Sequence, residues 1–549
     1  MQLIKLVLIK INQYLNAIFY GLILMLFSMC NTGELDFDDI KTPNLQSNNS
    51  VPIGQTTYTI KELIEKLEDP SIEITEDNTK LLSIAYRDTL TFNDYLTVIQ
   101  LEDISNPGVI QANSTPIAGS PSDQDVLIPT QNLSFEYSSP NNEELDSVKY
   151  SAGTITLDIQ NGYATAIEYE LTLNDVVNLS TGNPMVLSGT LPASGSDNIS
   201  ESLIDHKTIV NYDGSKNLFT GQFNGILKVK TGDFINGTEF INYTLTITGA
   251  DFSEIFGWFG NKNIAIESKT ISVDFFDGIS ENSVEFGDPQ INFLIDNSFG
   301  VPMGLNLDGL SSSNANGVSV NLSGDITATP QLVRAPSTSQ VGTTQSSIIE
   351  VNNTNSNLPD LLAISPNQFA IDVSATANYN NDSNTGDRNF VSSSSAVQVI
   401  TEINLPLNLK LQNLSRDFGT GVEGFDFEDA DTIRLILTTV NQLPIEGTIT
   451  MQFLAADSSV LHEKPDIAFL QSPEVPISGR IEEPITAKDT VTIFKGEGNG
   501  YQELLDASIL NIVTNITSYQ AADGTYVKIF SDYELILKVG VQANTNYEF

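Results

Sequence analysis

Histidine and cysteine are the side chains that most often carry nucleophilic and metal chemistry, and this 549-residue sequence holds only His206, His462 and a single cysteine, Cys30. A nucleophilic hydrolase needs Ser or Cys with a base beside it, usually His. No Gly-x-Ser-x-Gly elbow occurs. Neither histidine has a second one at metal-ligand spacing, which excludes a zinc site built on His and Cys. Both are expected in loops or on the surface. The sequence therefore predicts no catalytic residue, no cofactor and no enzyme.

Acids are plentiful, and a glycosidase-like pair is defined by separation in space rather than in sequence, so a carbohydrate-active enzyme using carboxylates alone stays open as a lesser alternative. The densest cluster, Asp426, Glu428, Asp429 and Asp431, offers hard oxygen ligands and is the candidate calcium site. Without a loop signature, solvated charge is the favoured account of it. Asn380, Asp382 and Asn384 resemble a calcium loop whose glycine, Gly386, falls one position late, and they read as a hairpin tip. Gly496, Gly498 and Gly500 lie between the strand-like VTIF and the helix-like YQELLDASI, but the spacing does not suit a phosphate cradle and no Lys-Ser/Thr follows. A flexible connector is expected there. The segment DFSEIFGWFG carries the only tryptophan, and Phe256, Trp258 and Phe259 form the candidate partner or ligand surface. The competing reading is a plug at the end of a β core.

The charge, 69 acidic against 25 basic residues for a net −44, repels phosphate backbones and excludes nucleic acid as an expected partner. A hydrophobic content of 40% allows several cores, and the abundance of Asn, Ser, Thr, Gly and aromatics suits strands joined by turns.

At the N-terminus Lys5 and Lys10 precede the apolar run AIFYGLILMLFSM, which ends at Cys30 with no small-x-small cleavage site after it. This arrangement resembles a bacterial lipoprotein signal, with Ser28 in place and Phe27 and Met29 standing where Leu and a small residue are usual. The resemblance implies that residues 1–29 are removed and Cys30 is lipidated. The following NTGELDFDDI resembles the acidic tether that, in the Bacteroidota, sends lipoproteins to the outer face of the outer membrane. An uncleaved transmembrane anchor is the alternative; Asn12, Gln13 and Asn16 interrupt the span it would need.

Residues 30–50 read as an acidic, polar tether and 51–106 as a small α+β unit, with a capping box at Thr59–Glu62 opening a helix. The Pro-, Ser- and Asn-rich residues 107–145 read as a linker or long loop. Beyond them the chain repeats itself. SVKYSAGTITLDIQNGYATAIEYEL from Ser147 aligns without a gap on SVEFGDPQINFLIDNSFGVPMGLNL from Ser283, matching Asn161 to Asn297 and Tyr163 to Phe299. A third copy places Asn441 and Leu443 on the same positions, and Leu504 and Leu505 on Leu361 and Leu362. Alternation predicts a strand, a corner at Asn and a second strand facing the same core. The unit resembles the strand–Asn–strand corner of late-embryogenesis and water-stress β-sandwich domains.

The expected fold is mainly β: tandem antiparallel β-sandwich-like modules at 146–281, 282–425 and 426–549. The expected role is that of a non-catalytic outer-membrane lipoprotein that binds or assembles, with the membrane and a barrel or other lipoprotein as partners. A lipid or apolar-ligand carrier is the first alternative.

Overall fold

In the computed structural model the described residues are 45–59, 73–111, 115–141, 143–266, 268–273, 276, 279–380, 388–421, 431–496, 498 and 500–547. They are mainly antiparallel β structure, arranged as three sandwiches that share one plan.

In the first sandwich one sheet has the order Ser196–Ser202, Glu144–Asn161, Phe240–Trp258, Ile104–Gln111, and the other Pro184–Leu191, Ala166–Asn178, Asn217–Val229, Gln124–Glu136. The second repeats this as Gln345–Asn352, Gln290–Asn297, Val397–Pro406, Leu82–Phe92 against Gln331–Val333, Met303–Asn306, Ser374–Ala377, Asn263–Ala265. The third has Ile485–Phe494, Thr432–Asn441, Glu534–Tyr547, Leu45–Thr59 against Val460–Leu470, Ile445–Leu454, Ile509–Ser518, Leu414–Gly421. Alternation drives the layering: Ile155, Leu157 and Ile159 are buried while Thr156 and Asp158 between them face outward. Short helices at Leu358–Ala363 and Tyr501–Asp506 precede the fifth strand of the second and third repeats.

The Asn corner is the same in all three. The chain reaches the end of a strand in one sheet and crosses to the other, which strands three backbone polar groups in a dry place. Asn161, Asn297 and Asn441 are all buried and supply the partners. Each side-chain oxygen accepts from the N–H two residues on, that of Tyr163, Phe299 or Leu443. Each Nδ2 donates to the carbonyl four residues on, that of Thr165, Val301 or Ile445. Each also donates to a distant carbonyl on the connection between the third and fourth strands of its repeat: Pro192, Arg334 or Gln471.

Four sequence expectations differ from the structure. Residues 45–50 are not tether but part of a strand paired along Glu534–Tyr547. Residues 51–106 are not a separate unit, because their strands belong to the third, second and first sandwiches in turn. Nor are residues 107–145 a linker; Ile104–Gln111 and Gln124–Glu136 are edge strands of the first sandwich. The module boundaries shift accordingly, since Asn263–Ala265 lies in the second sandwich and Leu414–Gly421 in the third. The helix expected after Thr59 lies outside the described residues.

The N-terminal strands form a spine. Thr59 pairs with Glu534, beside the contacts of Lys80 and Leu81 with Asp532 and Phe530, so Leu45, paired with Tyr547, marks the free end of the third sandwich. Leu82–Phe92 then runs from that junction to the next, where Phe92 meets Phe299. Ile104–Gln111 continues to the far end of the first sandwich, where Gln111 pairs with Phe240 beside the Asn161 corner. The three strands, of 15, 11 and 8 residues, would extend roughly 110 Å at the usual rise.

Candidate binding surface

The outer face of the Gln124–Glu136 sheet in the first sandwich holds an open groove of about 600 Å³. Its shape follows from a bulge on the edge strand. Two residues, Pro129 and Thr130, oppose Asn224 alone, which bends the strand and re-aims Thr130. The Thr130 hydroxyl donates to Asn224 Oδ1 at 2.7 Å. Next to them on the central strands lie Glu168 and Glu170, with Ser188 beyond and Leu127 and Ile226 at one end. Glu168 is paired to Lys228 at 2.9 Å, and Lys228 also reaches Asp125 at 2.8 Å. Leu127 is 74% exposed, an unusual place for a large apolar side chain on an edge strand. Carboxylates, a hydroxyl, an amide and a small apolar floor together suit a polar ligand with a C–H face. The sequence signal was Pro129 within a strand-like run, which marks an edge or bulge.

The aromatic segment is a junction rather than a surface. Phe252, Ile255 and Phe259 are buried, and Phe256 and Trp258 are half-buried. Phe256 pairs in register with Phe390 of the second sandwich, and Asn389 Oδ1 accepts from the N–H of Phe259. Asn378 and Asn389 exchange side-chain hydrogen bonds at 2.8 and 2.7 Å, and Arg388 forks onto Asp146 while also reaching Glu144. The segment is the end of the strand Phe240–Trp258, in contact with the second sandwich.

Neither histidine is in a loop as expected: His206 opens the strand His206–Ile209, half-buried, its Nδ1 against the Ile204 carbonyl, and His462, half-buried in the strand Val460–Leu470, stacks on Phe453 beneath Gly500. Asp426, Glu428 and Asp429, the candidate calcium loop from Asp382 to Gly386, and Cys30 fall outside the described residues; Asp431 and Asn380 are within them. Among the described residues no group of three or more His, Cys, Asp or Glu is placed to hold a metal ion, and no helix is long and apolar enough to cross a membrane.

Among the described residues, the carboxyls that depart from their ordinary values move down. Burial pushes Glu143 up, but hydrogen bonds from Asn141, its own N–H and nearby Lys262 hold it below its usual range. Asp123, Asp213 and Asp457 are lowered by hydrogen bonds from the turns they close. Asp532 is held down against desolvation by Lys80 and Arg480. Burial pushes the Tyr150 phenol up to about 12.

A second cavity, of about 90 Å³, lies between the sheets of the second sandwich, lined by Phe293, Ile295, Met303, Leu305 and Val399. Lys269 and Asp88 pair across its mouth.

No protein-family model matches the chain, and no curated protein matches it in sequence. Among solved structures, it is similar over 51% of its length to a candidate secreted protein of Parabacteroides distasonis, covering 82% of that chain at 13% identity and a TM-score of 0.29. It is also similar to the tandem family 22 carbohydrate-binding modules of Paenibacillus barcinonensis Xyn10C, with 50% and 82% of the two chains covered, 10% identity and a TM-score of 0.13. A family 11 carbohydrate-binding module from Clostridium thermocellum matches 32% of this chain and 94% of its own, at 11% identity and a TM-score of 0.12. Likeness at this level concerns β-rich architecture alone.

Proposed function

We propose that this chain is a non-catalytic protein of the cell envelope, lipid-anchored to the outer membrane through Cys30 and facing the cell surface, which binds or assembles with a partner through its first sandwich. The observation that carries this reading is the direction of the N-terminal spine. Leu45 starts at the free end of the third sandwich, and the strands that follow climb through the second to the first. Cys30 precedes Leu45 by fifteen residues, at most about 50 Å of extended chain. An anchor there holds the third sandwich nearest the bilayer and the groove farthest from it.

The alternatives have less support. A lipid carrier needs room for an acyl chain, whereas the inter-sheet cavity lined by described residues of the second sandwich, about 90 Å³, is smaller than the engineered one of roughly 150 Å³ that takes up benzene. A carboxylate-only glycosidase needs one acid raised, and the carboxyls displaced among the described residues move the other way. The net charge of −44 argues against nucleic acid.

Two measurements test the proposal. Metabolic labelling with an alkyne fatty acid is expected to mark the wild type and spare Cys30→Ser. On vesicles, a donor dye at Ala456→Cys, in the turn at the free end of the third sandwich, is expected to transfer energy efficiently to a headgroup acceptor, and one at Thr238→Cys weakly. Equal transfer from both positions would mean that the chain lies flat, and the outward-reaching role would fall.

A further inference from the structure

The connection between the fifth and sixth strands of the repeat is what locks the sandwiches together. In the third sandwich this connection, 519–533, places Val527–Lys528 against Asn408–Leu411, and Ile529 bonds both Leu407 and Leu82 of the second. In the second sandwich the connection, 378–396, places Asn389–Ser392 against Glu254–Gly257 of the first. The counterpart in the first sandwich, 230–239, lies at the free end of the stack. Its strand Phe234–Ile235 pairs with Ile117–Ala118, and Phe234 is 67% exposed.

We propose that this end of the first sandwich, centred on Phe234 and Phe240, docks a β-rich domain of a separate protein, as its two counterparts dock sandwiches of this chain. The internal repeats supply a control. The residue after each corner Asn donates its N–H to the carbonyl of one equivalent position: Gly162 to Phe240, Ser298 to Ala396, and Gln442 to Glu534, at 3.0, 2.9 and 3.0 Å. A position that the fold fills with Ala or Glu has no structural need for Phe, yet Phe240 stands there 46% exposed. Each internal docking connection buries large apolar side chains at its contact, Phe390 in one and Ile529 and Phe530 in the other, while Tyr526 in the latter stays 41% exposed. Phe234 and Phe240 are the aromatic anchors expected at the centre of an interface. A net charge of −44 makes copies of this chain repel one another and favours a partner whose contact face is neutral or basic. This inference rests on the assembly reading above but not on the lipid anchor.

The test uses the full chain in its native host, with a photo-crosslinking phenylalanine analogue in place of Phe234. One discrete protein adduct is expected. The partner so identified, once purified, is expected to bind the unlipidated Cys30→Ser chain as well as the wild type. It should bind the Phe234→Ser/Phe240→Ser chain at least about tenfold more weakly. Thermal melting should be unchanged in the double variant, and a control on the second sandwich, Ile348→Ser, whose side chain is 63% exposed, should bind normally. An adduct between two copies of the chain, no adduct at all, or undiminished binding by the double variant would overturn the proposal. Loss of the anchor would leave the binding result intact, so the two readings fail separately.

Discussion

Asn297 donates from Nδ2 to the carbonyl of Arg334, 37 residues further along, at 3.0 Å. The same amide closes its own corner through Phe299 and Val301. Replacing it by Ala strands one buried N–H and leaves two carbonyls short of a donor. Each buried group left unpaired costs about 1–3 kcal/mol. Asn297→Ala is therefore expected to destabilise the chain by about 2–4 kcal/mol, read as a lowered denaturant midpoint. Asn161→Ala, at the free end of the stack, should lower the first sandwich without disturbing the third. A loss under about 0.5 kcal/mol, the usual size of a surface substitution, would argue against the corner as the element that defines the repeat.

Gly300 is where the second sandwich receives its own connection. A Cβ there would lie 2.1 Å from the Phe390 ring, and the two residues exchange backbone hydrogen bonds. Gly300→Ala is expected to cost about 1–3 kcal/mol by overpacking and to raise hydrogen exchange at residues 389–392. Gly317→Ala, at a tip with open space but a left-handed φ of 82°, should strain its own turn and leave exchange at residues 389–392 unchanged.

Arg388 joins the second sandwich to the first by forking onto Asp146, with further bonds to Glu144. A lysine keeps the charge and loses the fork. Arg388→Lys should weaken the junction by about 1 kcal/mol, since the pair is partly exposed. Limited proteolysis between the sandwiches is the readout, and an unaltered rate would exclude a role in holding them together.

Glu143 gives the same junction a pH dependence. Its carboxyl is buried beside Lys262 at 3.2 Å and titrates below its ordinary 4.5. A depressed folded value means that the stabilisation is complete above about 4.5 and is lost as the pH falls through the lower folded value. Thermal melting of the wild type should therefore drop more steeply between pH 6 and pH 3 than that of Glu143→Gln. The variant should be the less stable of the two at pH 7. Parallel curves would assign the acid sensitivity to other groups.

The repeat was legible because its corner is local. Asn161, Asn297 and Asn441 each sit two residues before a buried Tyr, Phe or Leu, and alternation marks the strands on both sides. The short helix at Tyr501–Asp506 was legible for the same reason. The spine was not. Leu45 pairs with Tyr547 and Leu82–Phe92 with a strand beginning at Val397, partners that no local pattern can name. Edge strands also resemble loops in composition, because Pro129, Pro107 and their polar neighbours face outward. The aromatic run around Trp258 was ambiguous in principle. A plug between sandwiches and an exposed binding patch use the same residues, and only the pairing of Phe256 with Phe390 separates them.

The N-terminal strands run head to tail through all three sandwiches. Cross-strand cysteine pairs in a Cys30→Ser chain test this arrangement directly, at register partners Thr57 with Ile536, Thr89 with Ile400, and Val109 with Asn242. Paired strands bring such residues within disulfide range, so each pair should oxidise within one chain, leaving no free thiol and no dimer. Free thiols at Thr57→Cys/Ile536→Cys together with bonding at the other two would detach the first strand from the third sandwich, and with it the claim that the anchored end and the binding end lie at opposite ends of the stack.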